Sequence, residues 1–437
     1  MGIVMKKDFL KNVIPSMISS LFCGIYVSID GLFVGRAVGD IGIAAINIAW
    51  PIAAVILAVG TGIGMGGAIN ISNNMGAGRK DKADKAFGNT ISLLLIASVL
   101  LTFTTLVFAR PLLIFMGAQG DILELGYDYI KVIGIGAVLQ VMGTGVTPLL
   151  RNQDKSWLAM TLMISNFVID TVLSGVFVMV LGFGVTGAAG ASLIGQAFAL
   201  LPSLFILFNK DNRVSLTNYL LDMKLIQSIF KVGASPFGLS FIPSLTIVII
   251  NWQALKFGGT TAIAAYAVVS YILSAGQLLL QGIGDGSQPL ISFYNGANKL
   301  DSVKRLRKWT YQISFFTGML VMFGIILLTY QIPILFGVSL ETAQMLHTAL
   351  PLCGISLPLF ALTRVASSYF YAIKESLKAS LLIYSEVIVI LPICVILLPL
   401  LFNITGLWLA LVVTQLFLLI FSVLLLGKSK VPVRQML

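Results

Sequence analysis

Charge is scarce in this 437-residue chain: Asp, Glu, Lys and Arg together make up 10% of it. A soluble domain carries about 25% charged and about 45–50% apolar residues, whereas hydrophobic residues here reach 58%. A soluble core of this length could not hide so much apolar surface, so the solvent must be lipid. Histidine is almost missing, and the single His347 excludes a multi-histidine metal site. Cysteine is rare as well. Cys23, Cys353 and Cys394 lie in apolar runs with no C-x-x-C spacing and read as buried small hydrophobes. No Ser-His, Cys-His or metal constellation is present, so the chain is expected to be no enzyme and to need no cofactor. Lys6, Lys7 and Lys11 precede a long apolar stretch, but no small-residue cleavage site follows closely. That first segment reads as a retained membrane helix.

What the chain does contain is itself, twice. Arg36–Lys85 lies over Lys256–Arg305 at a constant shift of 220 residues, with 14 identities in 50 positions and no gap. Gly62-Ile-Gly64-x-Gly66 falls on Gly282-Ile-Gly284-x-Gly286, Ser72-x-x-x-Gly76-Ala77 falls on Ser292-x-x-x-Gly296-Ala297, and Asp81 falls on Asp301. An apolar chain of two similar halves is a common plan of secondary transporters, with sites between or within the halves near the membrane midplane.

Apolar runs long enough to cross about 30 Å of hydrocarbon occur near 10–34, 42–72, 86–108, 124–148, 158–181 and 185–208. They recur near 225–254, 260–293, 309–331, 343–372, 379–401 and 405–426. The expected fold is all-α and integral to the membrane, with twelve transmembrane helices in two pseudo-symmetric six-helix lobes. The lobes are residues 1–208 and 225–437, joined by a polar cytoplasmic linker at 209–224. Six is even, so the repeat is parallel. Of the 28 basic residues, 23 fall on the side that holds both termini and the linker. The opposite side has only Arg36, Arg110 and Lys256. Basic residues concentrate on the cytoplasmic side, so both termini are expected there, in a multi-pass cytoplasmic-membrane protein. The net charge of +11 then reports orientation in the bilayer and not a nucleic-acid partner.

Ionisable groups inside hydrocarbon cost roughly 2.5–3.5 kcal/mol each on insertion scales, which makes the survivors functional candidates. Asp30 in helix 1 has no basic residue within five positions, and Pro15 earlier in that helix removes a backbone hydrogen bond and eases bending. Low dielectric penalises its charged form, so a carboxylate on a bendable helix could couple protonation to shape. Asn166 and Asp170 in helix 5 are four apart, on one face, and suit a proton or a small cation. Gln281, Asp285 and Gln288 in helix 8 form one polar stripe at i, i+4 and i+7, which should face protein or water. Met65 is the repeat partner of Asp285. A cavity for cationic compounds is one use of that stripe, and pairing of Asp285 with Arg364 is the other. Arg364 in helix 10 and Glu386 in helix 11 read as a structural ion pair, and Asp128 and Lys131 as a local i,i+3 pair. The G-x-G-x-G stretches follow no strand, so they are packing glycines and not nucleotide loops.

The run Ser28-Ile-Asp30-Gly-Leu-Phe33-Val-Gly35-Arg36, then Ala44-Ala45 and Trp50-Pro51, resembles the first two helices of the multidrug and toxic compound extrusion (MATE) transporters. Pro15 before Asp30, Asn166-x-x-x-Asp170 and Gly282-Ile-Gly-Asp-Gly-x-Gln288-Pro289 resemble further motifs of that family, the last of its bacterial multidrug-pump branch. The resemblance covers essentially the whole chain. It implies a V-shaped pair of lobes and an antiporter that exports amphipathic, often cationic, compounds in exchange for H⁺ or Na⁺. It also implies a central cavity and that Asp30, Asn166 and Asp170 form the N-lobe coupling site; the polar stripe Gln281, Asp285 and Gln288, with the repeat partner Met65, supplies the candidates for the substrate cavity. One branch carries a C-lobe Na⁺ site built from a helix 7 Glu and a helix 10 Asp. Here helix 7 lacks a carboxylate and helix 10 carries Arg364, which disfavours that site. Some members place a helix 6 hydroxyl beside the N-lobe carboxylates, and only Ser192 is available for that role. A missing ligand favours H⁺ over Na⁺. The protein is expected to act as a monomer. A lipid-linked precursor flippase of the wider superfamily is the alternative, but it should offer basic cavity residues, and only Arg364 and Lys131 lie within spans. A major-facilitator transporter would carry a G-x-x-x-D-R/K-x-G-R/K-R/K type signature where this chain reads Gly76-Ala-Gly-Arg-Lys-Asp-Lys-Ala-Asp-Lys85.

Overall fold

The computed structural model describes residues 2–208 and 215–429. The first part of the expected linker, 209–214 with Lys210 and Arg213, lies outside the described residues, as do Lys430 and Arg434. Almost everything described is helix. In chain order the long helices are α1 (Gly2–Val38), α2 (Asp40–Gly76), α3 (Lys80–Phe115) and α4, a pair Gly120–Ile135 and Ala137–Asn152 bent by 59°. Next come α5 (Ser156–Ser174, continued by a π turn at Gly175–Val180), α6 (Gly184–Leu207), α7 (Met223–Gly259), α8 (Thr261–Gly296) and α9 (Leu300–Leu327). α10 comprises Leu340–Gly354 and Ser356–Ala372. α11 begins with Ser376–Ser385 and a π turn at Glu386–Ile390 and runs to a break at Asn403, after which α12 continues to Gly427.

Among the described residues, nine helices are long and apolar enough to cross a membrane, and the bent pair makes ten. Ser376–Gly427, counted there as one helix of 52 residues, divides at Asn403, where φ is 51° and ψ is −140°. With α1 this gives twelve rods. Several begin earlier than their apolar runs. α9 starts at Leu300, because Lys304, Arg305 and Lys308 extend the helix while carrying charge outward, and Arg307 turns inward and is buried 4.9 Å from the Tyr369 ring centroid.

The repeat runs much further in the backbone than in the side chains. Left-handed φ angles occur at Gly39 and Gly259, Gly78 and Asn298, Gly117 and Gly337, and Asp154 and Lys374. Each pair is 220 residues apart. These are the turns between helices, where the chain must reverse within a residue or two. Gly, Asn and Asp enter that region at little cost, so three of the four pairs use them on both sides or nearly so.

Polarity is inverted relative to a soluble protein. On α3 the outward residues Leu95, Ile96, Val99, Leu100 and Phe103 are exposed, whereas Asn89, Thr90 and Ser98 are buried. An apolar exterior of this extent suits lipid and not water.

By packing, the chain divides into two compact units, Met1–Phe241 and Ile242–Leu437, and α7 passes from one into the other. In the first unit, glycines let helices touch backbone to backbone. A Cβ on Gly64 would stand 2.2 Å from the carbonyl oxygen of Gly145 on α4. A Cβ on Gly66 would stand 2.3 Å from that of Ile229 on α7. The bend of α4 falls at Gly136, where the Leu193 side chain of α6 fills the space a Cβ would take, 2.2 Å away. The end of the linker is strapped to α3. Asn89 Nδ2 donates to the carbonyls of Asn218 and Leu220 at 3.1 and 3.0 Å, and its Oδ1 accepts from the Asp222 amide at 2.8 Å. Lys85 Nζ pairs with Asp222 Oδ2 at 2.7 Å, and Asp222 Oδ1 caps α7 by accepting the Lys224 amide at 2.9 Å. In the second unit α10 opens on a Ser339 cap, whose Oγ accepts from the Thr342 amide at 3.3 Å.

The expected Asp128–Lys131 pair is not formed among the described residues, and both side chains are exposed. Arg110 on α3 instead pairs with Glu124 on α4 and lies 5.7 Å from the Tyr127 ring centroid. A contact between helices holds Arg110 better than two exposed side chains on one helix would hold each other.

Candidate functional site

Polar side chains gather where α5 and α6 meet. Asn166, Asp170 and Ser174 succeed one another at four-residue intervals on α5, so they share one face. Ser192 and Gln196 do the same on α6. Asp170 is 2% exposed. Its Oδ1 accepts from Ser174 Oγ at 3.3 Å and from Ser192 Oγ at 3.4 Å. Asn166 Nδ2 donates to Gln196 Oε1 at 3.2 Å, while Asn166 Oδ1 is buried with no hydrogen-bond partner.

Two glycines make the cluster this tight. A Cβ on Gly195 of α6 would fall 2.6 Å from Asn166 Oδ1 and 2.8 Å from the Asn166 backbone oxygen. A Cβ on Gly143 of α4 would fall 1.7 Å from Gln196 Nε2. Immediately after Ser174 the helix widens into the π turn Gly175–Val180, a local insertion that recurs at functional sites. The Phe33 ring of α1 reaches this turn, with its Cζ 3.6 Å from where a Gly175 Cβ would stand. α1 therefore lies against the cluster three residues beyond Asp30. The backbone of Asp30 is helical, and its side chain lies outside the described residues. Pro15 is buried within α1, which continues as a helix through it.

Chemically, the corner offers a buried carboxylate, two hydroxyls and two side-chain amides. All are hard oxygen donors or hydrogen-bond partners, the kind of set that takes a proton or a small cation. No group of three or more His, Cys, Asp or Glu side chains able to hold a metal occurs among the described residues. Ser174 and Gln196 escaped the sequence reading. Ser174 had a signal, since it lies one turn beyond Asp170. Gln196 had none, because its relation to Asn166 depends on how α5 and α6 pack.

The C-terminal unit holds the remaining candidates. Asp285 accepts from Tyr371 Oη of α10 at 3.0 Å. Gln288 is buried and donates to Ser292 Oγ at 2.9 Å, which in turn donates to the Ala372 carbonyl at 3.0 Å. The α8 stripe therefore faces α10, and Asp285 has Tyr371 for a partner where Arg364 was the alternative. Gln281 is half-buried, and Met65, in the N-terminal unit, is 3% exposed. Arg364 Nη2 stands 2.8 Å from Glu386 Oε2, with the two side chains 9% and 13% exposed.

A model of the MatE family matches residues 15–176 and 237–396. Staphylococcus saprophyticus has a protein named multidrug export protein MepA that is 25% identical over 323 residues, covering 72% of this chain and 71% of that protein. The protein of the same name in Staphylococcus aureus is 26% identical over 298 residues, covering 67% of this chain but 65% of its own length. Among solved structures, an outward-facing multidrug resistance MATE family transporter of the MOP superfamily aligns with a TM-score of 0.91 and 25% identity, covering 98% of this chain and 96% of that one. A MATE structure in complex with MaL6 aligns equally well, with a TM-score of 0.91 and 25% identity.

Proposed function

Because the chain belongs to the MatE family, we propose that this multi-pass membrane transporter is a cation-coupled antiporter. It exports amphipathic, often cationic, compounds across the cytoplasmic membrane by alternating access, as a monomer with both termini in the cytoplasm. The observation that carries this reading is the buried Asp170 carboxylate, which shares two serine hydroxyls beside an Asn166 oxygen that has no partner. A buried carboxylate gains from neutralisation, and a guest proton or cation supplies it. Asp30, Asn166 and Asp170 form the coupling site, with Ser174, Ser192 and Gln196 as supporting groups. H⁺ is favoured over Na⁺, since α7 carries no carboxylate and α10 carries Arg364, where a C-lobe Na⁺ site would need acidic ligands.

In the cycle, ionised carboxylates and apolar walls take up the drug from the inner side. In the C-terminal unit Gln281 and Asp285, both half-buried on α8, are the substrate contacts of this reading. Protons from outside then neutralise Asp30 and Asp170, α1 bends near Pro15, and the drug leaves outward. Each proton moving down 100 mV supplies about 2.3 kcal/mol, enough for a concentration ratio of more than ten at about 1.4 kcal/mol per tenfold.

The test is efflux of a fluorescent cation from proteoliposomes under an imposed pH gradient or an imposed Na⁺ gradient. The pH gradient should drive wild-type efflux. Asp170→Asn, which preserves shape and hydrogen bonding, should lower gradient-driven efflux by about a hundredfold, in the range seen when a positioned proton-transfer group is removed. Wild-type efflux by that variant would refute the coupling role.

A further inference from the structure

The internal repeat points to a second site. Counting 220 residues on from Gly143, Asn166 and Gly195 gives Thr363, Glu386 and Gln415. In the N-terminal unit the first three surround the Asn166–Gln196 contact. In the C-terminal unit their counterparts are joined in one chain of hydrogen bonds. Thr363 Oγ1 donates to Gln415 Oε1 at 3.0 Å, Gln415 Nε2 donates to Glu386 Oε1 at 2.8 Å, and Arg364 Nη2 donates to Glu386 Oε2 at 2.8 Å. Thr363 and Gln415 are buried, and a π turn begins at Glu386 itself.

A pair that served only to fasten α10 to α11 would be expected to use the guanidinium fork, two parallel bonds to one carboxylate. Here the carboxylate is shared, one oxygen to Arg364 and the other to Gln415. The guanidinium lies over Phe360, its carbon 4.4 Å from the ring centroid. Its Nε is buried and has no hydrogen-bond partner, in a side chain that is 9% exposed. A buried N–H on a charged group needs an acceptor. Glu386 and Gln415 thus hold a cation in place and leave its Nε–H unspent, while the partial exposure of Glu386, 13%, leaves a way in.

We propose that Arg364, Glu386, Gln415 and Thr363 form a second substrate site, which takes the carboxylate of amphipathic compounds that carry an acid group as well as a cationic body. The carboxylate accepts from the Nε edge of Arg364, and Glu386 keeps the guanidinium oriented. This rests on the export reading above and narrows its substrate class.

The experiment uses full-length protein in neutral phosphatidylcholine vesicles and two xanthene dyes that share a cationic ring system. One bears a free carboxylate and the other its ethyl ester. Efflux KM is measured for wild type, for Arg364→Lys, and for the double variant Arg364→Gln with Glu386→Gln, which removes both charges and leaves no lone buried ion. Melting in detergent reports on folding. In both variants the KM of the carboxylate dye should rise about tenfold or more relative to that of the ester, as expected for loss of a charge-assisted hydrogen bond. Equal changes for the two dyes, or none, would overturn the assignment. So would a carboxylate-dye KM that rises in wild type when anionic phosphatidylglycerol is added, since the occupant would then be a lipid phosphate. If wild type exports the ester but never saturates with the carboxylate dye, this inference fails and the export reading stands. If neither dye moves, both fail.

Discussion

Replacing Gly195 by Ala tests whether the α5–α6 corner is built by close helix approach. The new Cβ would meet Asn166 Oδ1 at 2.6 Å and the Asn166 backbone oxygen at 2.8 Å. The side-chain oxygen can rotate away, but the backbone oxygen cannot. Ordinary contact needs a separation of about 3.5 Å, so the helices must part by about 0.7 Å. Overpacking of this kind costs about 1–3 kcal/mol. Gly190 supplies an internal control. It lies on the same helix, and a Cβ there meets nothing within 4 Å. Both substitutions gain about 1 kcal/mol of helix propensity, so that benefit cancels in the comparison. At about 2 °C per kcal/mol for a large chain, Gly195→Ala should melt about 2–6 °C below Gly190→Ala in a thermal shift assay in detergent. Function should fall with it. The Ser192–Asp170 hydrogen bond, at 3.4 Å, has no slack and would be lost. Loss of one such bond, worth about 1 kcal/mol, should slow proton-driven efflux by about fivefold, with Gly190→Ala unaffected. Equal melting and equal efflux for the two variants would refute the close-packed corner.

The strap that ties the linker to α3 makes two further predictions. A Cβ on Gly88 would stand 2.3 Å from the Asn218 carbonyl oxygen, so Gly88→Ala should peel the strap away and raise amide exchange of residues 216–222 at least tenfold by hydrogen–deuterium exchange, with the spans unchanged. The hydrogen bond from Lys85 and the backbone amide of Leu225 hold the Asp222 carboxyl below its ordinary value of 3.8. A carboxyl held low stabilises the fold fully above its unfolded value and loses that contribution as pH falls through the lower folded value. Exchange of 216–222 should therefore be flat, after correction for intrinsic rates, from pH 8 to pH 5 and rise only below about pH 4. A rise near pH 6 would contradict the assignment.

The spans were legible because lipid imposes a crude and long-range pattern, some twenty apolar residues at a time. The helix ends were less so, since Lys304 and Arg307 on α9 look like loop residues in a hydropathy reading yet continue the helix. The two π turns left no mark that could be read. Val176 to Val180 and Val387 to Ile390 are ordinary apolar runs. The candidate site was half legible. Asn166 and Asp170 announced themselves by helical spacing, and Ser192 was noted as the one hydroxyl available within residues 187–192. Gln196 reads as one more polar residue in an apolar helix until α6 is laid against α5.

The two units share their turns and differ at the corner between their fifth and sixth helices. Their backbones agree in the left-handed turns at residues 39 and 259, 78 and 298, 117 and 337, and 154 and 374, because reversing the chain between spans allows few conformations. Nothing comparable constrains the interior of a helix bundle in lipid, provided that each buried polar group finds a partner. At the corner between the fifth and sixth helices of each unit, small residues in one copy face large polar ones in the other. Gly143 and Gly195 clear room for Asn166 and Gln196, whereas Thr363 and Gln415 fill the equivalent volume and hold Glu386. A glycine at position 415 would remove the Glu386 Oε1 donor, and a glutamine at position 195 would collide with the Asn166 backbone. Neither half can therefore exchange its chemistry with the other by one substitution. A close-packed corner around one buried carboxylate and a charge-paired corner filled by larger side chains are two stable solutions of the same backbone.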